Sequence, residues 1–117
     1  MILKDNQKRF ILSYDIIDDA YNEKDIWDAL YDMPGLTIMD KPVLSTLLLK
    51  SEDGLMHEKI KKMLDASFGD LCYIVCRVGV KRYDDGSHVN CYFRKPNTDS
   101  QKQIKDYLES KKQAVKK

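Results

Sequence analysis

The stretch Phe10-Ile11-Leu12-Ser13-Tyr14-Asp15-Ile16-Ile17 decides the fold of this 117-residue chain. Successive residues of a β-strand point to opposite faces, and apolar residues alternate here as they do in a half-buried strand. The better core face carries Phe10, Leu12, Tyr14 and Ile16. The stretch therefore predicts a first strand over residues 10–17, with Asp15 near its end on the face away from the core.

The residues that follow predict a helix and then two strands. Asn22, with Asp25 three positions later, is typical of a helix N-cap. Apolar residues then recur at helical spacing at Ile26, Trp27, Leu30 and Tyr31. We expect strands over residues 36–39 and 43–50, joined by a turn around Pro42, because proline removes a ladder donor.

The second half of the chain predicts a helix and a strand, followed by two further elements. A stripe of Met56, Ile60, Met63 and Leu64 predicts a second helix. Residues 71–80 are rich in β-branched and aromatic side chains and predict a fourth strand. The turn sequence at 84–86 predicts a further strand arm over 88–94, and residues from about 100 to 113 predict a basic terminal helix.

The predicted order is strand, helix, strand, strand, helix, strand, which defines an α+β domain of the ferredoxin-like βαββαβ class. We expect one domain over residues 1–117, with a core at about 9–95 and both helices on one face of an antiparallel sheet. The other face, with Ile11 and Val75, would then be apolar and uncovered. Such a face predicts a homodimer.

Composition excludes several classes of protein. Apolar residues make up 43% of the chain and charged residues 33%, which argues against a disordered or collagen-like chain. No apolar run approaches the ~20 residues that cross a bilayer. The net charge of +1 conceals an asymmetry. Residues 1–60 carry 7 basic and 12 acidic side chains (−5), and residues 61–117 carry 13 and 7 (+6).

The cysteines indicate a reducing compartment. Their number is odd, and no cleavable apolar leader opens the sequence, so we expect a cytoplasmic protein. Cys72 and Cys76 lie four residues apart on a strand, about 13 Å, which is too far for one zinc ion. We expect them, and Cys91, to be small buried apolar groups.

Asp15 is the candidate catalytic and metal-binding residue. A carboxylate beside a two-fold axis meets its own copy, and the two repel unless a proton or a cation lies between them. Mg²⁺ takes one or two carboxylates and keeps several waters, and it can orient a phosphodiester. Alternatively, Asp15 begins a turn with Asp18 and Asp19, since short acidic residues bond to the backbone there.

Basic and aromatic residues alternate around the last strand and the arm, and they are candidates for binding nucleic acid. Such residues grip phosphates and stack on bases, although they also protect sheet edges from aggregation. The basic members are Arg77, Lys81, Arg82, Arg94 and Lys95. Neither His57 nor His88 has a partner at ligand spacing, so we expect both to be exposed or structurally bonded.

The segments 10–16, 43–49 and 71–75 together resemble the superfamily of CRISPR adaptation subunits and VapD-type ribonucleases. The resemblance covers about residues 9–95 and rests on strand order and on the pair Tyr14-Asp15. It implies a homodimer with facing sheets, with Asp15 of each chain as the metal-binding or catalytic carboxylate and residues 88–94 exchanged with the partner. Members include metal-dependent endonucleases and inactive scaffolds of nucleic-acid complexes.

Two functions follow as expectations. The first is a dimeric, nucleic-acid-associated protein, a Mg²⁺-dependent endoribonuclease or phosphodiesterase of RNA or DNA that uses Asp15. The second is a non-catalytic regulator or adaptor that binds a protein partner, for example in a mobile-element or defence system. It would dock that partner through the acidic first helix and the basic tail, and the acidic helix would repel a nucleic-acid backbone.

Overall fold

Four strands and three helices form the part of the chain that the computed structural model describes, residues 7–17, 20–78 and 97–115. The strands are β1 (Lys8–Asp15), β2 (Thr37–Val43), β3 (Thr46–Ser51) and β4 (Cys72–Val78). The helices are α1 (Glu23–Tyr31), α2 (Met56–Ser67) and α3 (Thr98–Val115). The strands form one antiparallel sheet in the order β2-β3-β1-β4. The predicted ferredoxin-like βαββαβ topology is confirmed.

β1 is a central strand, and its two faces differ in burial as the alternation predicts. Phe10 and Leu12 are fully buried and Tyr14 nearly so, whereas Asp15 is exposed. β1 pairs with β3 on one side and with β4 on the other. Because neighbours on both sides satisfy its backbone groups, β1 fixes which face each flanking strand turns toward the helices.

The core lies between one face of the sheet and the helices. Burial of each large apolar side chain contributes roughly 1.5–3 kcal/mol, and this side of the sheet holds the largest ones. Helix α1 contributes Ile26, Trp27 and Leu30, and helix α2 contributes Met56, Ile60 and Leu64. The helical spacing of these residues in the sequence therefore identified the buried faces correctly.

Helix α1 begins where the sequence predicts. The Asn22 side chain accepts a hydrogen bond from the backbone N–H of Asp25 at 3.1 Å, and the Asp25 carboxylate accepts one from the Asn22 N–H at 2.8 Å. This reciprocal capping box satisfies two backbone donors that the first helical turn leaves open. The helix ends at Tyr31, three residues before Pro34-Gly35, and Gly35 adopts a left-handed φ of 78°.

The predicted turn around Pro42 is wrong. β2 continues through Asp40, Lys41 and Pro42, and the chain reverses after Val43, where Ser45 has a φ of 57°. Proline is tolerated because β2 is an edge strand, and register shifts near Asp40 interrupt its ladder with β3.

Helix α3 packs beside α1 and against β2, and it confirms the predicted terminal helix. Its first turn is capped by Asn97, whose side chain accepts from the Ser100 N–H at 3.0 Å and whose own N–H donates to the Pro42 carbonyl at 2.7 Å. Ile104 and Tyr107 are buried in the core. Residues 79–96, which include the predicted strand arm, lie outside the described residues.

Among the described helices, none is both long enough and apolar enough to cross a membrane. The longest, α3, has 18 residues, and lysine, aspartate and glutamate recur along it. A bilayer core requires about 20 predominantly apolar residues.

Candidate functional site at the end of the first strand

Asp15 is the last residue of β1 and lies on the face of the sheet that carries no described helix. Its neighbour Tyr14 points to the helices, and alternation therefore turns the Asp15 carboxylate the other way. Asp15 is exposed, and directly opposite it on β4 is Cys72, which is exposed as well. The alternative of an acidic turn with Asp18 and Asp19 involves two residues outside the described part of the chain.

The face around Asp15, here called the helix-free face, is graded from basic to acidic along the strands. Residues directly opposite each other in the register share a face, so the strand pairings identify its members. At one end Arg9 is opposite Lys50, and at the other Asp15 is opposite Cys72. Between them lie Ile11, Leu48, Cys76, Ser13, Thr46 and Ile74.

An uncovered apolar face was predicted, but one of its two named members was misplaced. Val75 is opposite Leu12 and packs against the core, so it belongs to the helix-covered face. The exposed apolar residue on β4 is Ile74, which is 70% exposed. The pairing of β4 with β1 sets the face on which each β4 residue lies. A change of one residue in that pairing would exchange the two faces of the strand.

The prediction that the cysteines are buried is also wrong for the two that the structure describes. Cys72 and Cys76 are both exposed free thiols on the helix-free face. The residues of β4 that face the core are instead Tyr73 and Val75, which pack against it. Cys91 lies outside the described residues.

A buried polar cluster that includes Tyr14, the residue before Asp15, lies on the helix-covered face. Its centre is Lys41, only 1% exposed, whose ammonium donates to the Glu23 carboxylate at 2.9 Å and to the Gln103 side-chain oxygen at 3.1 Å. The Tyr14 hydroxyl donates to the other Glu23 oxygen and accepts from the Trp27 indole N–H at 3.0 Å. The cluster thus joins β1, α1, β2 and α3.

Burial raises the pKa of the Tyr14 hydroxyl well above its ordinary value, and its hydrogen bond to Glu23 adds to the increase. The hydroxyl therefore stays protonated and acts as a donor. A buried tyrosine usually places its hydroxyl on a partner. That rule was the one signal in the sequence for this cluster, and it could not identify Glu23 or Lys41.

The acidity of α1 is partly neutralised within the molecule, which weakens the expectation that this helix repels nucleic acid. Glu23 pairs with Lys41. Asp28 accepts from the Tyr107 hydroxyl at 2.5 Å and pairs with Lys111 at 3.0 Å. These contacts, led by the Tyr107 hydrogen bond, hold the pKa of Asp28 below its ordinary value.

Of the five basic residues predicted to bind nucleic acid, the structure describes one. Arg77 is exposed but lies opposite Phe10, on the helix-covered face, and its guanidinium donates to the Gly54 carbonyl at 3.4 Å. Asp15 and Arg77 therefore lie on opposite faces of the sheet. The other four lie outside the described residues: Lys81, Arg82, Arg94 and Lys95.

His57 also lies on the helix-covered face. Its ring stacks on Phe10 with the centroids 5.8 Å apart, and its Nδ1 is buried without a hydrogen-bond partner among the described residues. The stacking agrees with the predicted structural role. His88 lies outside the described residues.

The described residues of a single chain do not assemble a complete metal site. They contain no group of three or more His, Cys, Asp or Glu side chains that could hold an ion together. Asp15 alone is one carboxylate, and Mg²⁺ is commonly bound by one or two carboxylates with waters and substrate phosphates. Asp15 therefore supplies one of the ligands that such an ion needs.

Comparisons of the chain with protein-family models, with curated proteins and with solved structures gave no match. The structure establishes a βαββαβ topology, and fold alone does not determine function.

Proposed function

We propose that the protein is a homodimer assembled through the helix-free face, and that it acts on or alongside nucleic acid as a Mg²⁺-dependent phosphodiesterase of the endoribonuclease type. The observation that carries this proposal is the position of Asp15, an exposed carboxylate at the edge of an uncovered, partly apolar sheet face. The resemblance of its strand order to the CRISPR adaptation and VapD-type proteins supports it as an analogy.

Dimerisation is supported by the exposure of apolar groups in the middle of the helix-free face. Ile74 is 70% exposed, and Ile11 and Leu48 are only partly covered. Contiguous apolar surface on a sheet is costly in water, and a second copy of the same sheet would bury it. A two-fold axis parallel to the strands would bring the Asp15 ends of both chains together.

The chemistry depends on what two Asp15 carboxylates can do at close range. Two like charges repel and raise each other's proton affinity unless a cation compensates them. Bound there, Mg²⁺ would neutralise a phosphodiester oxygen and lower the pKa of an attacking water. Asp15 of each chain would hold the ion and orient the phosphate. Contacts to the nucleic-acid backbone are proposed for Lys81, Arg82, Arg94 and Lys95.

Cleavage of labelled RNA and DNA, single- and double-stranded, tests the proposal. We expect cleavage with Mg²⁺ and none with chelator or with Asp15→Asn. The matched control is Asp106→Asn, which makes the same chemical change at an exposed position on α3 and should keep full activity. Cleavage that survives in Asp15→Asn would remove the proposed site.

A second candidate function is a non-catalytic adaptor that docks a protein partner. The observation in its favour is the separation of Arg77 from Asp15 on opposite faces of the sheet, which leaves Asp15 with no described cation beside it to hold a phosphate. Fluorescence anisotropy with labelled RNA and DNA distinguishes the two. Binding that falls steeply between low and moderate salt supports nucleic-acid contact. Absence of both binding and cleavage supports the adaptor.

A further inference from the structure

Asp15 and Cys72 form a pair of metal-ligand side chains on adjacent strands. They are directly opposite each other in the register of β1 and β4, and both are exposed on the helix-free face. Directly opposite residues have Cβ atoms about 4.5–5.5 Å apart. One ion bound at ~2.0–2.3 Å from each ligand can therefore be shared by the carboxylate and the thiolate.

We infer that Asp15 and Cys72 are half of a site for a thiophilic divalent cation such as Zn²⁺, and that the same two residues of a second copy complete it. This inference rests on the dimer of the proposed function, and it assigns to the paired Asp15 residues a thiophilic cation in place of the Mg²⁺ proposed there. Two copies supply two oxygen and two sulfur ligands. Four ligands of this kind are the tetrahedral set that Zn²⁺ accepts, whereas carboxylates alone favour Mg²⁺.

Two further observations bear on which residues belong to the site. Cys76 lies on the same strand and face but four residues away, about 13 Å along the strand, beyond reach of an ion held by Cys72. The described part of one chain contains no group of three potential ligands, and a second copy of the pair would supply the two that are missing. Binding converts each thiol to a thiolate and releases its proton to water, so affinity should rise with pH.

The experiment uses the full-length protein without an affinity tag, under reducing conditions. Zn²⁺ is titrated by calorimetry, and Co²⁺ serves as a spectroscopic probe whose thiolate bonds give a charge-transfer band in the near ultraviolet. We expect one ion per two chains. Cys72→Ser should lose the Co²⁺ band and weaken Zn²⁺ binding by at least about a hundredfold, more than second-shell changes usually do. Asp15→Asn should weaken Zn²⁺ binding while keeping the band.

The matched controls are Cys76→Ser and Cys91→Ser, which make the same chemical change elsewhere and should leave the stoichiometry and the Co²⁺ band unaltered. Circular dichroism confirms that each variant is folded. Equal Zn²⁺ binding by Cys72→Ser and wild type would overturn the inference, as would one ion per chain or an equal loss in Cys76→Ser.

The cation site and the enzymatic proposal fail in different ways. A site that binds one Zn²⁺ per two chains in a protein without nuclease activity would support the inference and remove the enzymatic proposal. Mg²⁺-dependent cleavage that requires Asp15, in a protein with no Co²⁺–thiolate band, would support the enzymatic proposal and remove the Zn²⁺ site. A protein that remains monomeric with Zn²⁺ present would overturn both.

Discussion

The two faces of β1 place neighbouring residues in opposite environments. Tyr14 is buried, bonded to Glu23 and Trp27, and held in a cluster that also contains Lys41. Asp15, the next residue, is exposed on the helix-free face. The comparison teaches that the apolar core and its buried polar cluster lie on one side of the sheet, so changes on the other side should cost less in folding.

The largest expected loss of stability comes from Lys41→Met. Removing one partner of a buried ion pair typically costs about 3–5 kcal/mol, and we expect about 3 kcal/mol here because Glu23 keeps some access to water. Urea unfolding measures the change. The control is Lys61→Met, which breaks an exposed pair with Asp65 and should leave the stability nearly unchanged. Equal costs for the two variants would contradict a stabilising buried cluster.

A smaller loss is expected from Tyr107→Phe, which removes the hydroxyl that bonds Asp28 and so loosens α3 from α1. A hydrogen bond to a charged group contributes about 1.5–3 kcal/mol, and the lower value applies because Asp28 is partly solvated. Tyr73→Phe is the matched control, since its hydroxyl bonds Asp65 at an exposed position. It should cost clearly less than Tyr107→Phe in the same unfolding experiment, because water can replace the lost hydrogen bond.

The pH dependence of stability should report the same contact. The pKa of Asp28 is lower in the folded protein than its ordinary value of 3.8, first because of the Tyr107 hydrogen bond. The stability that this gives is present above pH 3.8 and is lost as the pH falls through the folded pKa. Thermal unfolding should be measured between pH 2 and pH 6. The melting temperature of Asp28→Asn should fall less on acidification than that of the wild type. An equal fall in both proteins would contradict a stabilising role for the Asp28 carboxylate.

The smallest effect on folding, with a large effect on assembly, is expected from Ile74→Lys. Ile74 is 70% exposed, so the monomer should lose less than about 1 kcal/mol, within the range of strand propensities. Sedimentation equilibrium should show the wild type at about twice the chain mass of 13.7 kDa and the variant at the chain mass. A variant that remains dimeric would place the interface elsewhere.

Local sequence patterns predicted the features that depend on neighbouring residues. Alternation placed Tyr14 and Asp15 on opposite faces, and the pairing of Asn22 with Asp25 located the start of α1. The same reasoning failed at Pro42, because a proline is compatible with a strand at a sheet edge beside irregular pairing, and neither property is visible in the sequence.

Features that depend on distant contacts were not predictable. The partners of Lys41 are 18 and 62 residues away, so nothing near it indicates that a lysine is buried there. The faces of β4 depend on its register with β1, and without that register Val75 was assigned to the wrong face and Cys72 and Cys76 were taken to be buried. The candidate pair of Asp15 with Cys72 follows from the same register.

The central claim is that two copies meet on the helix-free face with their Asp15 residues adjacent. The most direct test is Asp15→Cys in a chain whose native cysteines at 72, 76 and 91 are changed to serine, oxidised under mild conditions and analysed by non-reducing electrophoresis. The account predicts rapid disulfide-linked dimers, and none for Asp106→Cys in the same background. A chain that stays monomeric, or that crosslinks no faster through position 15 than through position 106, would contradict it.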